Sequence, residues 1–338
     1  MIKIILIAAA IILLLFIAEK IRIYLFLQLA ITRSDNFLKS ELGNKLYRIH
    51  RERHKQKNPY TGEVNQDIIW MEGQETKEIT IKSFDGLLLT GHYLQAKENI
   101  KEKTIFKESQ RTIVMMHGWR GNWKKDLAGI AKVFHEKGYH LLMAEQRAHG
   151  KSEGKYLGFG CLERFDCHTW VEYLVQQEEN LESEIYLAGI SMGAATVLMA
   201  AGDPFPAQVK GIIADSGYTN PYDMVCHFGK SMLHINEKNA VPRINNLCIK
   251  KAGYDLKSYS TLEAMKKCTL PVFFTHSTGD DFVPHSFTLE NYEECAAKKT
   301  LYLVSEVGHC MGFYKDKEQY MKALSSFFQW NQEEKQLA

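Results

Sequence analysis

Apolar and polar positions fall into two regimes along this chain. Ile4 to Ala18 is an uninterrupted apolar run of 15 residues. Met1–Lys3 extends it, because a lysine stem lies along apolar surroundings while its ammonium reaches the headgroups. A second apolar stretch, Ile21 to Ile31, is broken only by Arg22 and Gln28. Together these predict an uncleaved membrane anchor over residues 1–31, and the missing A-x-A cleavage site argues against the rival reading, a secreted leader. Residues 32–75 read as a basic juxtamembrane linker. Within it, 45–57 (KLYRIHRERHKQK) fits either a patch for anionic headgroups or a plain solvated face. Asn58-Pro59-Tyr60-Thr61-Gly62 reads as the turn that ends it.

From residue 76 the period changes. Short runs rich in Ile, Leu, Val, Phe and Tyr predict strands at 78–82, 87–94, 112–117, 140–145, 184–190, 211–214, 271–276 and 300–304. Several are apolar almost throughout, as strands covered on both faces are. Helical spacing marks 127–137, 164–177, 194–201 and 287–297. Only Ser83-Phe84-Asp85-Gly86 separates the first two strands, which predicts an antiparallel hairpin. The expectation is an α/β domain over 76–332, an eight-stranded mostly parallel sheet with helices on both faces. Ligands of such sheets bind at the carboxyl ends of the strands.

Composition changes this picture little. An apolar share of 45% and a charged share of 24% suit a domain with a sizeable core. A net charge of +2 and the lack of a nucleic-acid motif argue against a nucleic-acid partner. The seven cysteines are odd in number and have no C-x-x-C pair, so neither a disulfide framework nor a zinc site is expected. Their number fits a reducing compartment. Lys3 alone precedes the first apolar run, whereas Lys20, Arg22 and Arg33 follow it. The positive-inside rule then places the domain in the cytoplasm, held by a single-pass helix; an extracytoplasmic or secreted domain is the alternative.

The chemistry lies at the strand ends. Gly189-Ile190-Ser191-Met192-Gly193 sits between the strand EIYLAG and a helix of small residues, AATVLMAA. A nucleophile elbow needs this context, and its helix start turns free N–H groups toward a developing negative charge. A serine nucleophile needs a base, and the base an orienting carboxylate. Asp280 follows the seventh strand and His309 the eighth, giving the chain order Ser, Asp, His. The backbone N–H groups of Met192 and Trp119 are the expected oxyanion donors. His117, Arg147 and His149 read as loop and packing residues, and Cys310 as a passive thiol. His227, His234, His276 and His285 lack metal-ligand spacing, so no metal or cofactor is expected.

HGWRGN at 117–122, EQRAHGKSEG at 145–154, GISMG at 189–193, HSTGDDFVP at 276–284 and GH at 308–309 resemble the α/β-hydrolase superfamily, in its membrane-anchored bacterial esterase-like branch. The resemblance covers 76 to about 330. Its H-G-x-x-D-x-x-V-P pattern selects Asp280 over Asp281, with Ser277 where the glycine usually stands. Asp215 is a second candidate acid, since some relatives place it there. The long excursion at 217–270 is expected to be a small helical cap, with Tyr218, Tyr222, Phe228 and Met232, and with Trp119, Trp123 and Phe159 nearby, walling an apolar pocket. What the resemblance implies is cleavage of carboxylic esters through an acyl-enzyme on a small-molecule acyl substrate. A peptidase, thioesterase or lysophospholipase with the same triad, and a non-catalytic tethered binding protein, are the alternatives.

Overall fold

The computed structural model describes residues 2–33, 59–96, 111–176, 184–233 and 237–329, and the basic stretch 45–57 and His234 lie outside them. The strands are β1 (Lys77–Lys82), β2 (Leu88–Leu94), β3 (Arg111–Met116), β4 (His140–Ala144), β5 (Glu184–Ile190), β6 (Val209–Asp215), β7 (Val272–Ser277) and β8 (Lys299–Val304). They form one eight-stranded sheet in the order β1-β2-β4-β3-β5-β6-β7-β8. β2 runs antiparallel to β1 and to β4; every other pairing is parallel. The β1–β2 hairpin turns where the sequence placed it, with Ser83 N–H on the Leu87 carbonyl at 2.8 Å. β3, β5 and β7 are buried almost end to end, which their unbroken apolar runs require.

The helices are α1 (Ile2–Ile31), α2 (Thr61–Glu72), α3 (Trp123–Asp126), α4 (Ala128–Glu136), α5 (Glu163–Gln176), α6 (Met192–Ala200), α7 (Pro221–Leu233), α8 (Glu237–Ala252), α9 (Thr261–Met265), α10 (Ser286–Glu294), α11 (Gly312–Lys315) and α12 (Lys317–Phe328). On one face of the sheet, Met71, Phe134, Tyr320 and Phe327 of α2, α4 and α12 pack over Ile113, Met115 and Leu141. On the other, Trp170, Leu198 and Met265 of α5, α6 and α9 pack over Val114 and Leu187. Every residue of α6 is buried, which explains a helix made of small and apolar residues with no polar stripe.

Three elements depart from the sequence reading. Helix α2 occupies the end of the expected linker, and only Asp67 and Met71 of it are buried. Too few apolar positions recur for its period to stand out, and part of its hold is ionic, from Asp67 to Lys132 at 3.2 Å. The last part of the excursion at 217–270 does not cover the site: Ala264 and Met265 of α9 lie in the core beside α6. Helix α1, finally, is continuous. Its outer part is exposed and apolar, with a 25-residue candidate span, Ile2–Phe26, of mean hydropathy 2.7. Its inner part is docked: Ile23, Phe26, Ala30 and Ile31 are buried with Val225, Phe228, Val241 and Ile244 of α7 and α8.

Candidate active site

β5 ends at Ile190 and α6 begins at Met192, so Ser191 alone makes the turn. Its φ of 56° is a conformation non-glycine residues seldom adopt, and it persists only because the surroundings fix it. The two glycines make room. A Cβ on Gly189 would meet the Gly193 backbone, and one on Gly193 would meet the carbonyls of Met116 and His117. The turn lifts Ser191 to the carboxyl edge of the sheet, where the loops after β7 and β8 arrive.

Those loops bring two side chains to it. His309 Nε2 lies 2.9 Å from Ser191 Oγ, and His309 Nδ1 lies 2.6 Å from Asp280 Oδ2. Asp280 is held in turn by the N–H groups of Phe282 and Val283, which donate to its Oδ1 at 3.0 and 2.9 Å. Burial pushes the Asp280 carboxyl up, but His309 and His276 outweigh it and hold the group well below the usual carboxylate range. For His309, burial favours the neutral ring; the charge and hydrogen bond of Asp280, with Asp215 and Asp126 farther off, overcome that and raise its pKa. The imidazole thus has a carboxylate on one nitrogen and a hydroxyl on the other. Asp215, the second candidate acid, instead accepts from Ser216 Oγ at 2.8 Å, and burial raises its pKa.

Trp119 and Met192, the expected oxyanion donors, flank Ser191. A Cβ built on Gly118, next to Trp119, would stand 3.4 Å from the Ser191 Cβ, so this loop and the elbow are in contact. Met192 opens α6, whose first N–H groups have no partner within the helix. His117 is a loop residue, as read from sequence: its Nδ1 donates to the Gly118 carbonyl at 2.8 Å and its Nε2 accepts from Gln146 N–H at 3.1 Å. Arg147 is buried between Asp85 and Asp166. Burial pushes the Cys310 thiol far up, which keeps it protonated.

The pattern that selects Asp280 begins at His276 but gives that residue no part of its own. It is buried, with Nε2 3.1 Å from Asp280 Oδ2 and Nδ1 2.6 Å from Thr288 Oγ1. Asp126 accepts from Gly118 N–H at 2.9 Å and so ties the loop after β3 to α3. No motif announces it.

A cavity of about 280 Å³ reaches Ser191 and His309, and Trp119, Phe282, Met115, Leu127, Ile130, Ile213 and Phe313 also line it. Its apolar wall therefore comes mainly from the sheet, α4 and α11. The expected cap residues Tyr218, Tyr222 and Phe228 pack with α1 instead, and Phe159 is buried among them. Trp123 packs in the cluster of Met115, Leu127 and Phe313, stacked on His92 at 4.1 Å, and is not itself a lining residue of the cavity.

A strand order with one reversed hairpin, a serine elbow after β5, and an acid and a histidine after β7 and β8 define the α/β-hydrolase fold, and this chain has it. The comparisons agree. A family model described as "Serine aminopeptidase, S33" matches residues 107–259. "Uncharacterized protein YqkD" of Bacillus subtilis (strain 168) is 28% identical over 220 residues, 65% of this chain and 72% of that one. Among solved structures, the Pyrococcus furiosus esterase Pf2001 superposes with a TM-score of 0.59 at 19% identity, covering 78% of this chain and 94% of that one. An acylaminoacyl peptidase of Pyrococcus horikoshii superposes at 0.52 with 17% identity, covering 78% of this chain and 42% of its own. The chain thus has the α/β-hydrolase fold, and the proteins it is similar to include esterases and peptidases alike.

Proposed function

We propose that the protein is a serine hydrolase that cleaves carboxylic esters through an acyl-enzyme. The observation that carries this is the alignment of Ser191 Oγ, the His309 ring and Asp280 at 2.9 and 2.6 Å. In this reading Ser191 attacks the acyl carbon while His309 Nε2 takes its proton. Asp280 holds the ring in the tautomer that leaves Nε2 free to accept and stabilises the imidazolium that forms. The N–H groups of Trp119 and Met192 take the oxyanion, an arrangement worth on the order of 3 kcal/mol per donor elsewhere. His309 then protonates the leaving alcohol, and water repeats the sequence to free the acid. The apolar cavity suits an acyl chain or an aromatic ester better than a charged substrate.

Aminopeptidase activity is the second reading, favoured by the description of the matching family. It needs an anion to receive the substrate ammonium. Of the carboxylates lining the cavity, Asp126 already accepts from Gly118 and Asp215 from Ser216, and burial raises the pKa of both. This favours esters.

The outer part of α1 is, in the same proposal, a single-pass membrane anchor, with the hydrolase body on the side of Lys20, Arg22 and Arg33. Steady-state rates on acyl esters, thioesters and aminoacyl amides test the assignment. Expected are ester rates far above amide rates, and a kcat about 10⁴-fold lower or worse in Ser191→Ala. Preference for an aminoacyl amide, or near-normal turnover without Ser191, would contradict it.

A further inference from the structure

The inner end of helix α1 touches the oxyanion loop directly. A helix leaves its last four carbonyls without partners inside the helix. Here two of them, on Gln28 and Ala30, and that of Thr32 just beyond the helix are met from the loop that follows β3. Trp119 Nε1–H donates to the Ala30 carbonyl at 2.8 Å. Arg120 Nη2–H donates to the Thr32 carbonyl at 2.8 Å and to that of Gln28 at 3.3 Å. Leu157 N–H donates to the Ile31 carbonyl at 2.7 Å, so a second loop joins from the other side. The Arg120 guanidinium also suits the negative end of the helix dipole.

Packing reinforces these bonds. Phe26, Ala30 and Ile31 are at most 2% exposed, in the cluster that holds Met192, Phe228 and Val283. The Trp119 ring stands 5.3 Å from Phe228 and 6.5 Å from Phe282, and Phe282 stands 5.0 Å from the His309 ring. Arg120, between the helix contact and the rest of the loop, is held at a φ of 53°. A non-glycine residue stays there only when its neighbours over-determine it.

We propose that the docked end of α1, residues 23–32, is a positioning element of the active site. By fixing the Trp119 indole and the Arg120 guanidinium, it fixes the loop whose Trp119 backbone N–H faces the developing oxyanion. The inference rests on the ester-hydrolase reading, because it assigns the loop its catalytic part. It divides one helix into two tasks: the exposed turns meet lipid, and the buried turns preorganise a hydrogen-bond donor. Preorganised donors do their work only when they need not move during the reaction.

The full-length chain in detergent micelles serves for the test, with Trp119→Phe, which deletes the indole donor, and Ala30→Leu, which wedges helix and loop apart. Leu13→Ala, on the exposed part of the helix, is the control. Three quantities are read: kcat and KM on a short-chain ester, inhibition by an alkyl boronic acid that mimics the tetrahedral intermediate, and hydrogen exchange of amides 118–122. Expected for both variants is a kcat lower by about tenfold, a fraction of the ~10²–10³ seen when a whole donor is removed. Boronate affinity falls in parallel, KM stays within about twofold, the pH midpoint is unmoved, and exchange in the loop quickens. Leu13→Ala changes none of these. Unchanged kcat and boronate affinity in both variants overturn the proposal, as does a raised KM at constant kcat. Because exchange needs no turnover, a wild-type chain without Ser191-dependent hydrolysis refutes the ester reading separately.

Discussion

His309 carries the sharpest consequence at the scale of single residues. Its ring acts as a base only when neutral. Burial alone would keep it so, but Asp280 beside it tips the balance and raises the pKa above the ordinary 6.5. On the proposed role, activity is expected above the raised pKa and is lost as the pH falls through it. A kcat/KM profile with chemistry rate-limiting is expected to rise to a plateau through one midpoint above 6.5. A midpoint below 6.5, or a flat profile from pH 5 to 9, would contradict this. The meeting of Ser191, Asp280 and His309 was legible because each follows a strand of the sheet and each is of a type the chemistry demands. Asp126 was not: it holds the Gly118 amide through a contact across loops that no motif encodes, and the pattern that begins at His276 does not say that this ring holds Asp280.

Among the elements, the buried strands announced themselves, since a short unbroken apolar run has few other uses in a chain of this composition. Of the helices, α4, α5, α6 and α10 were read, α6 although it has no polar face, whereas the half-buried α12 was not. Helix α1 shows where such reading stops. Ile23, Phe26 and Ala30 share one face and are buried against α7 and α8, while Tyr24 on another face is exposed. Lipid and protein are both apolar surroundings, so composition cannot separate residues facing one from residues facing the other. Stability can. Phe26→Ala is expected to cost about 3–5 kcal/mol through the cavity it leaves, read as a lower midpoint for unfolding of the hydrolase body in detergent. A cost below about 1 kcal/mol would mean that the inner turns are not docked in solution.

For the molecule as a whole, the proposal makes α1 the link between a bilayer at its outer turns and the active site at its inner end. The helix is 30 residues long, so at 1.5 Å per residue it extends about 45 Å. A hydrocarbon core of about 30 Å takes roughly 20 of those residues, which leaves the inner turns for the body. Full-length protein is expected to float with phosphatidylcholine vesicles through a sucrose gradient, and to stay with them in 1 M salt, because apolar insertion is insensitive to screening. Release by salt would point to surface charge instead. The central claim is that a serine, an imidazole and a carboxylate act there as one relay. Its most direct test is intact-mass measurement after treatment with a fluorophosphonate, on the wild-type chain and on His309→Gln. Expected is one adduct per wild-type chain, mapped to Ser191, and almost none on the variant in the same time. Labelling equal in the two proteins, or an adduct on any other residue, would contradict the relay.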